Sequence, residues 1–225
     1  MKMWIALPVL LGVMLAVAPV SAQVLYDDGP INGTVDAWTI NFGFLIADSF
    51  TILNNSTVGG FNFGVWEFAG DKMTSVDWSI DAYPYSGTNY GSGTASGANL
   101  TDRFISVNQY GYDIDTITVT GLNVPLKGGG TTYWLSLLNA EVPSGDPVYW
   151  DENDGVGCKG DDGMGGGCPS MASNGGLGSD PPESFDINGT NGGGGTTPEP
   201  DSIVLLASGV LAIAGLLRRK FKSRG

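Results

Sequence analysis

The chain has 225 residues, 36 of them glycine, a formal net charge of −13 and no histidine. Without histidine, a Ser-His-Asp triad, a Cys-His pair and His-ligated zinc are excluded, which leaves carboxylate chemistry and carboxylate-held metals. Between residues 23 and 200 four cations face 22 acids, a net of −18, and such a surface repels nucleic-acid phosphates and anionic lipids.

The N-terminus reads as an address. Lys2 opens a short charged region, residues 5–20 are mostly apolar, and Val20-Ser21-Ala22 sets small residues at −3 and −1 before Gln23. This is the pattern of a secretory signal peptide over residues 1–22: an apolar helix cut by signal peptidase between Ala22 and Gln23.

From Ala37 onward the dominant signal is a period of two. Trp38, Ile40, Phe42 and Phe44 alternate with smaller or polar residues, as do Val76, Trp78, Ile80 and Ala82, then Tyr133, Leu135 and Leu137. Alternation with aromatic and β-branched enrichment predicts strands. Shorter strands are predicted at 50–53, 61–68, 91–96, 104–107, 114–120, 148–150 and 185–187. Polar and Gly-rich stretches at 54–57, 58–60 and 127–130 are predicted to break them. About ten short strands with no helical period predict one all-β domain over residues 23–188, an antiparallel β-sandwich. Trp66, Trp78 and Trp134 fall inside strands and read as core. Tyr83, Tyr85 and Tyr90 fall among Gly and Ser between strands. They read either as candidate glycan contacts or as caps on the end of the inter-sheet core. The stretch 122–137, with three glycines before Thr131-Thr132-Tyr133-Trp134-Leu135, resembles a hairpin of bacterial extracellular jelly-roll domains. That resemblance implies a jelly-roll-like sandwich, and several such domains bind carbohydrate.

After Trp150 the composition changes. Residues 151–180 are predicted to form a long surface loop inserted before the closing strand. Asp151, Asn153, Asp154, Asp161 and Asp162 offer hard oxygen ligands and are a candidate calcium set, with no EF-hand spacing; the alternative is a solvated acidic loop. No other cofactor is expected. Cys158 and Cys168, the only cysteines, flank a Gly-rich stretch in a chain read as exported, so a disulfide is expected. Glu67, Glu141, Glu152 and Glu183 are scattered, whereas glycoside hydrolysis needs two carboxylates at a set distance. No catalytic residue is assigned. Residues 189–197 read as a flexible Gly-rich spacer.

The C-terminus is a second address. Pro198-Glu199-Pro200 precedes an apolar run over 203–217 rich in small residues, and Arg218-Arg219-Lys220 follow. A helix over that run spans roughly 22 Å at 1.5 Å per residue, somewhat less than the ~30 Å hydrocarbon core. The basic cluster marks the cytoplasmic end, so the domain faces outward. Motif, apolar run and arginines together resemble the PEP-CTERM sorting signal of Gram-negative bacteria, over residues 198–225. The resemblance implies recognition by an exosortase (a membrane-embedded protease), transient membrane anchoring, and passage to the cell surface, outer envelope or extracellular matrix. It also implies a link to exopolysaccharide.

The resulting expectation is a non-enzymatic surface or matrix protein with a structural or adhesive role. A carbohydrate-binding module for exopolysaccharide is the alternative, and a carboxylate-based hydrolase the third reading. The Cys158–Cys168 loop stands outside the strand pattern, so its disulfide contributes at most ~2–3 kcal/mol by chain entropy. Replacing both cysteines with serine is expected to move the melting midpoint by only a few degrees. Loss of folding would show instead that the loop belongs to the core.

Overall fold

The computed structural model describes residues 22–34, 36–84, 86–153, 170–172 and 182–192. The expected signal and tail helices lie outside these residues. Twelve strands are described: β1 (Gln23–Asp27), β2 (Ala37–Thr39), β3 (Leu45–Ile52), β4 (Ser56–Glu67), β5 (Ser75–Tyr83), β6 (Ser86–Ser96), β7 (Leu100–Val107), β8 (Asp113–Leu126), β9 (Thr131–Glu141), β10 (Tyr149–Asp151), β11 (Ser170–Ala172) and β12 (Phe185–Asn191). They form two antiparallel sheets packed together, a β-sandwich. The larger sheet is organised on β4. One edge of β4 pairs with β8, and β8 with β7. The other edge is shared by β12, which continues to β1, and by β10, which continues to β2. The smaller sheet runs β11-β3-β9-β5-β6.

The period-two pattern decides which face of each strand is dry. Phe61, Phe63 and Val65 of β4 and Ile117 and Val119 of β8 point between the sheets, where they meet Ile46, Phe50 and Ile52 of β3, Val76, Trp78 and Ile80 of β5, and Tyr133, Leu135 and Leu137 of β9. Aromatic edges lock the middle. Trp150 lies edge-on to Phe63 at 6.0 Å and to Phe185 at 5.8 Å, and its indole N–H donates to the Ser184 carbonyl at 3.1 Å. Truncating so deeply buried an aromatic typically costs about 3–5 kcal/mol.

The strands depart from the sequence pattern in three places. The alternation from Trp38 to Phe44 is not one strand. It breaks at a tight turn in which the Phe44 N–H donates to the Asn41 carbonyl at 3.0 Å and both Phe42 (φ 56°) and Gly43 (φ 84°) are left-handed. Phe42 is therefore 64 % exposed, although its phase placed it with Ile40. Conversely, residues 56–60 read as a breaker and are strand. A Cβ at Gly60 would stand 2.2 Å from the Val119 carbonyl oxygen, so glycine here permits close backbone approach beside a bulge. Finally, Asp151 and residues 170–172, read as loop, are strand, and β12 continues through Asn191, into the stretch read as spacer.

One acid enters the core itself. Asp48 lies in phase with Ile46 and Phe50 on the inner face of β3 and is fully buried. It accepts a hydrogen bond from the Glu183 N–H at 2.7 Å and meets Asp28, which receives the Tyr26 hydroxyl at 2.7 Å. Burial, then the Asp28 charge, pushes the Asp48 carboxyl well above the usual range. Burial likewise pushes Asp28 up, to about 7. Raised folded values mean that the native protein keeps protons the unfolded chain has released. The contribution of these groups to stability is therefore full below the ordinary aspartate value of 3.8 and is lost as pH rises through about 7. The melting midpoint is expected to be higher at pH 5 than at pH 8, and Asp28→Asn to flatten part of that slope. An unchanged profile in the variant would place the pH dependence elsewhere.

Candidate functional site

Two constellations stand out among the described residues. The first is an open groove of about 730 Å³ where β5, β6 and β9 meet the turn after β2 and the loop after β9. Its polar wall is prearranged. Asn139 donates its amide to Asp77 Oδ2 at 2.9 Å, Thr94 donates its hydroxyl to Asp77 Oδ1, and Ser75 donates to Glu141 Oε2 at 2.9 Å. Phe42 forms part of the same lining, and the Asn41 amide ties its turn to the Asp146 carbonyl at 3.0 Å. Phe42 and Asn139 (φ 51°) are the two non-glycine residues with left-handed backbone among the described residues, and both line this groove. A left-handed residue other than Gly, Asn or Asp costs roughly 1–2 kcal/mol, so Phe42 is strained where Asn139 is tolerated.

The second is a cluster of carboxylates on the inner face of the larger sheet, past the end of its apolar core. Glu67 continues the Phe61, Phe63, Val65 phase of β4, and Asp115 precedes Ile117 and Val119 on β8. Asp102 lies between Leu100 and Phe104 on β7. One oxygen from each of the three lies within 4.8 Å of the others. Lys72, from the loop between β4 and β5, places its Nζ 3.0 Å from Asp102 Oδ1 and 2.8 Å from Asp115 Oδ1. The Met73 N–H donates to Asp102 Oδ2 at 2.7 Å. Burial, then the charges of Asp102 and Asp115, pushes Glu67 up to about 8. Burial also raises Asp115, against the hydrogen bond from Lys72. Oxygen-only donors of this kind suit a hard cation.

The residues singled out from sequence are dispersed. Ala22 is exposed and Gln23 opens β1. Tyr83 ends β5 at 65 % exposure, whereas Tyr90 lies within β6 with its ring edge-on to the buried Tyr133 at 4.9 Å. Tyr85 lies outside the described residues. So do Asp154, Asp161, Asp162, Cys158, Cys168, Pro198, Glu199 and Pro200. Asp151 and Asn153 are fully buried. The Asp151 carboxylate accepts from the N–H groups of Asn32 and Gly33, the Trp66 indole and the Ser184 hydroxyl. The Asn153 amide donates to the carbonyls of Asp28 and Glu183. Trp78 is core, as expected; Trp66 is buried but on the outer face of its sheet, and Trp134 is half-buried because Tyr133 and Leu135 on either side of it take the inward phase. On the outer side Trp66 is covered by Tyr110, stacked at 5.7 Å and itself 61 % exposed.

Both constellations were missed in the sequence. The carboxylate cluster did leave a trace there, because extending each core alternation by one step lands on Glu67 and Asp115. The groove left none, since its residues come from five separate segments. Comparison with protein-family models and with curated proteins finds no match.

Proposed function

We propose that the chain is an exported, non-enzymatic surface or matrix protein whose sandwich makes adhesive contacts outside the cell, with signal peptidase acting at one end and an exosortase at the other. The observation that most supports this is where the fold begins. β1 opens at Gln23, and that residue already pairs with Gly189 of β12. Cleavage after Ala22 would therefore leave every pairing among the described residues intact. The finer architecture in this reading is jelly-roll-like. In its support, β3 and β4 sit in opposite sheets and pair with β9 and β8, in reverse order, as a long hairpin wrapped over itself would. Intact-mass analysis of protein from a native host is expected to find neither residues 1–22 nor the basic tail. A mature form that keeps Arg218 and Arg219 would reduce the tail to a plain anchor.

A second reading, a carbohydrate-binding module facing exopolysaccharide, is favoured by the groove. An exposed ring held against an unfavourable backbone, beside prearranged carboxylate, amide and hydroxyl groups, is a platform on which a sugar can stack and hydrogen-bond. Left-handed pairs of this kind in tight turns prefer Asn-Gly over Phe-Gly. Phe42→Asn is therefore expected to raise stability by about 1 kcal/mol, a shift of a few degrees, because the lost ring was mostly in water. On a glycan array the same variant is expected to lose at least about tenfold in affinity, since an anchoring aromatic is typically worth more than about 1.4 kcal/mol. Failure of the wild type to bind any glycan, or a variant that binds as well, removes this reading.

A further inference from the structure

We infer that Glu67, Asp102 and Asp115 form a calcium site on the inner face of the larger sheet, past the end of its apolar core. The inference rests on an imbalance of partners. Glu67 is 0 % exposed, and neither of its carboxylate oxygens receives a hydrogen bond. Asp115 is equally buried, with Lys72 Nζ as the cation against it. One ammonium, on a side chain 45 % exposed to solvent, thus stands against three carboxylates whose oxygens converge. A buried carboxylate aimed at two others without a donor is costly unless protonated or bound to a metal.

The oxygen-only, irregular ligand set favours calcium among hard cations. Two oxygens on one ion stand at most twice the metal–oxygen distance apart. Three carboxylate oxygens that all lie within 4.8 Å of one another are close enough to share one Ca²⁺ at about 2.3–2.6 Å per bond. Mg²⁺ demands about 2.0–2.1 Å and a near-ideal octahedron, which an irregular set drawn from three strands supplies less well. Lys72 occupies the approach to the cluster and can swing into solvent as the ion enters. The three ligands come from β4, β8 and β7, so the ion would fasten the edge strand β7 to the middle of the sheet.

The test is a calorimetric and thermal-melt titration of the purified full chain with Ca²⁺ after chelator treatment. One saturable site and a rise of several degrees in melting midpoint are expected. Glu67→Gln and Asp102→Asn are each expected to weaken Ca²⁺ binding by tenfold or more, and Lys72→Met to tighten it, because a competing ammonium is gone. Should Glu67→Gln fail to fold, the more accessible Asp102→Asn decides. Absence of saturable binding in both the wild type and Lys72→Met overturns the proposal. So does an equal response to Mg²⁺, or loss of binding in Asp161→Asn with Asp162→Asn while Glu67→Gln binds normally.

Discussion

Four donors converge on one buried carboxylate, that of Asp151, and much of the larger sheet hangs on it. The Asn32 and Gly33 amides, the Trp66 indole and the Ser184 hydroxyl come from the β1–β2 connection, from β4, and from the approach to β12. β10 itself is three residues long and pairs with β4 over only two of them. Such a short strand cannot hold its place by ladder bonds alone. It is held because Trp150 points inward among Phe63 and Phe185 while the next side chain points outward into this ring of donors. A carboxylate can accept about four hydrogen bonds, so the donor set matches its capacity, and burial becomes tolerable.

The same tension runs through the rest of the molecule. The chain is strongly acidic, and the sandwich encloses several of its carboxylates rather than showing all of them to water. Three solutions are visible. Asp151 is saturated by donors. Burial and the Asp28 charge push the Asp48 carboxyl upward, toward its neutral form. Glu67, Asp102 and Asp115 share one lysine. The first uses neutral dipoles, the second removes a charge and the third needs a cation. These differ in their sensitivity to the surroundings, because a retained proton follows pH and a cation-held cluster follows dissolved ions.

The groove shows how strain and exposure coincide. In the Asn41–Phe44 turn an apolar ring sits where the backbone is left-handed, and a second residue of the groove lining, Asn139, is left-handed as well. Asparagine suits that backbone, but phenylalanine does not. Stability alone would favour glycine or asparagine at position 42. The core nearby has no need of the ring, since Ile40 and Val148 already close it.

What the sequence determined by itself was the class of structure and most of the dry face. A period of two brings Phe61, Phe63 and Val65, or Tyr133, Leu135 and Leu137, to one side of any extended chain, so their burial follows from pleat geometry alone. The breaks in that pattern were not legible. The left-handed turn at Phe42 contradicts residue preference, and the strand through Gly59-Gly60 depends on a carbonyl of β8 some sixty residues away. The sites were less legible still. Nothing local distinguishes Asp151, with four donors, from an acid in open solvent, or Glu67, which has none, from a surface glutamate. Whether a carboxylate finds donors, a proton or a cation depends on which strands become its neighbours, and only the tertiary pairing of β4, β7, β8 and β10 decided that.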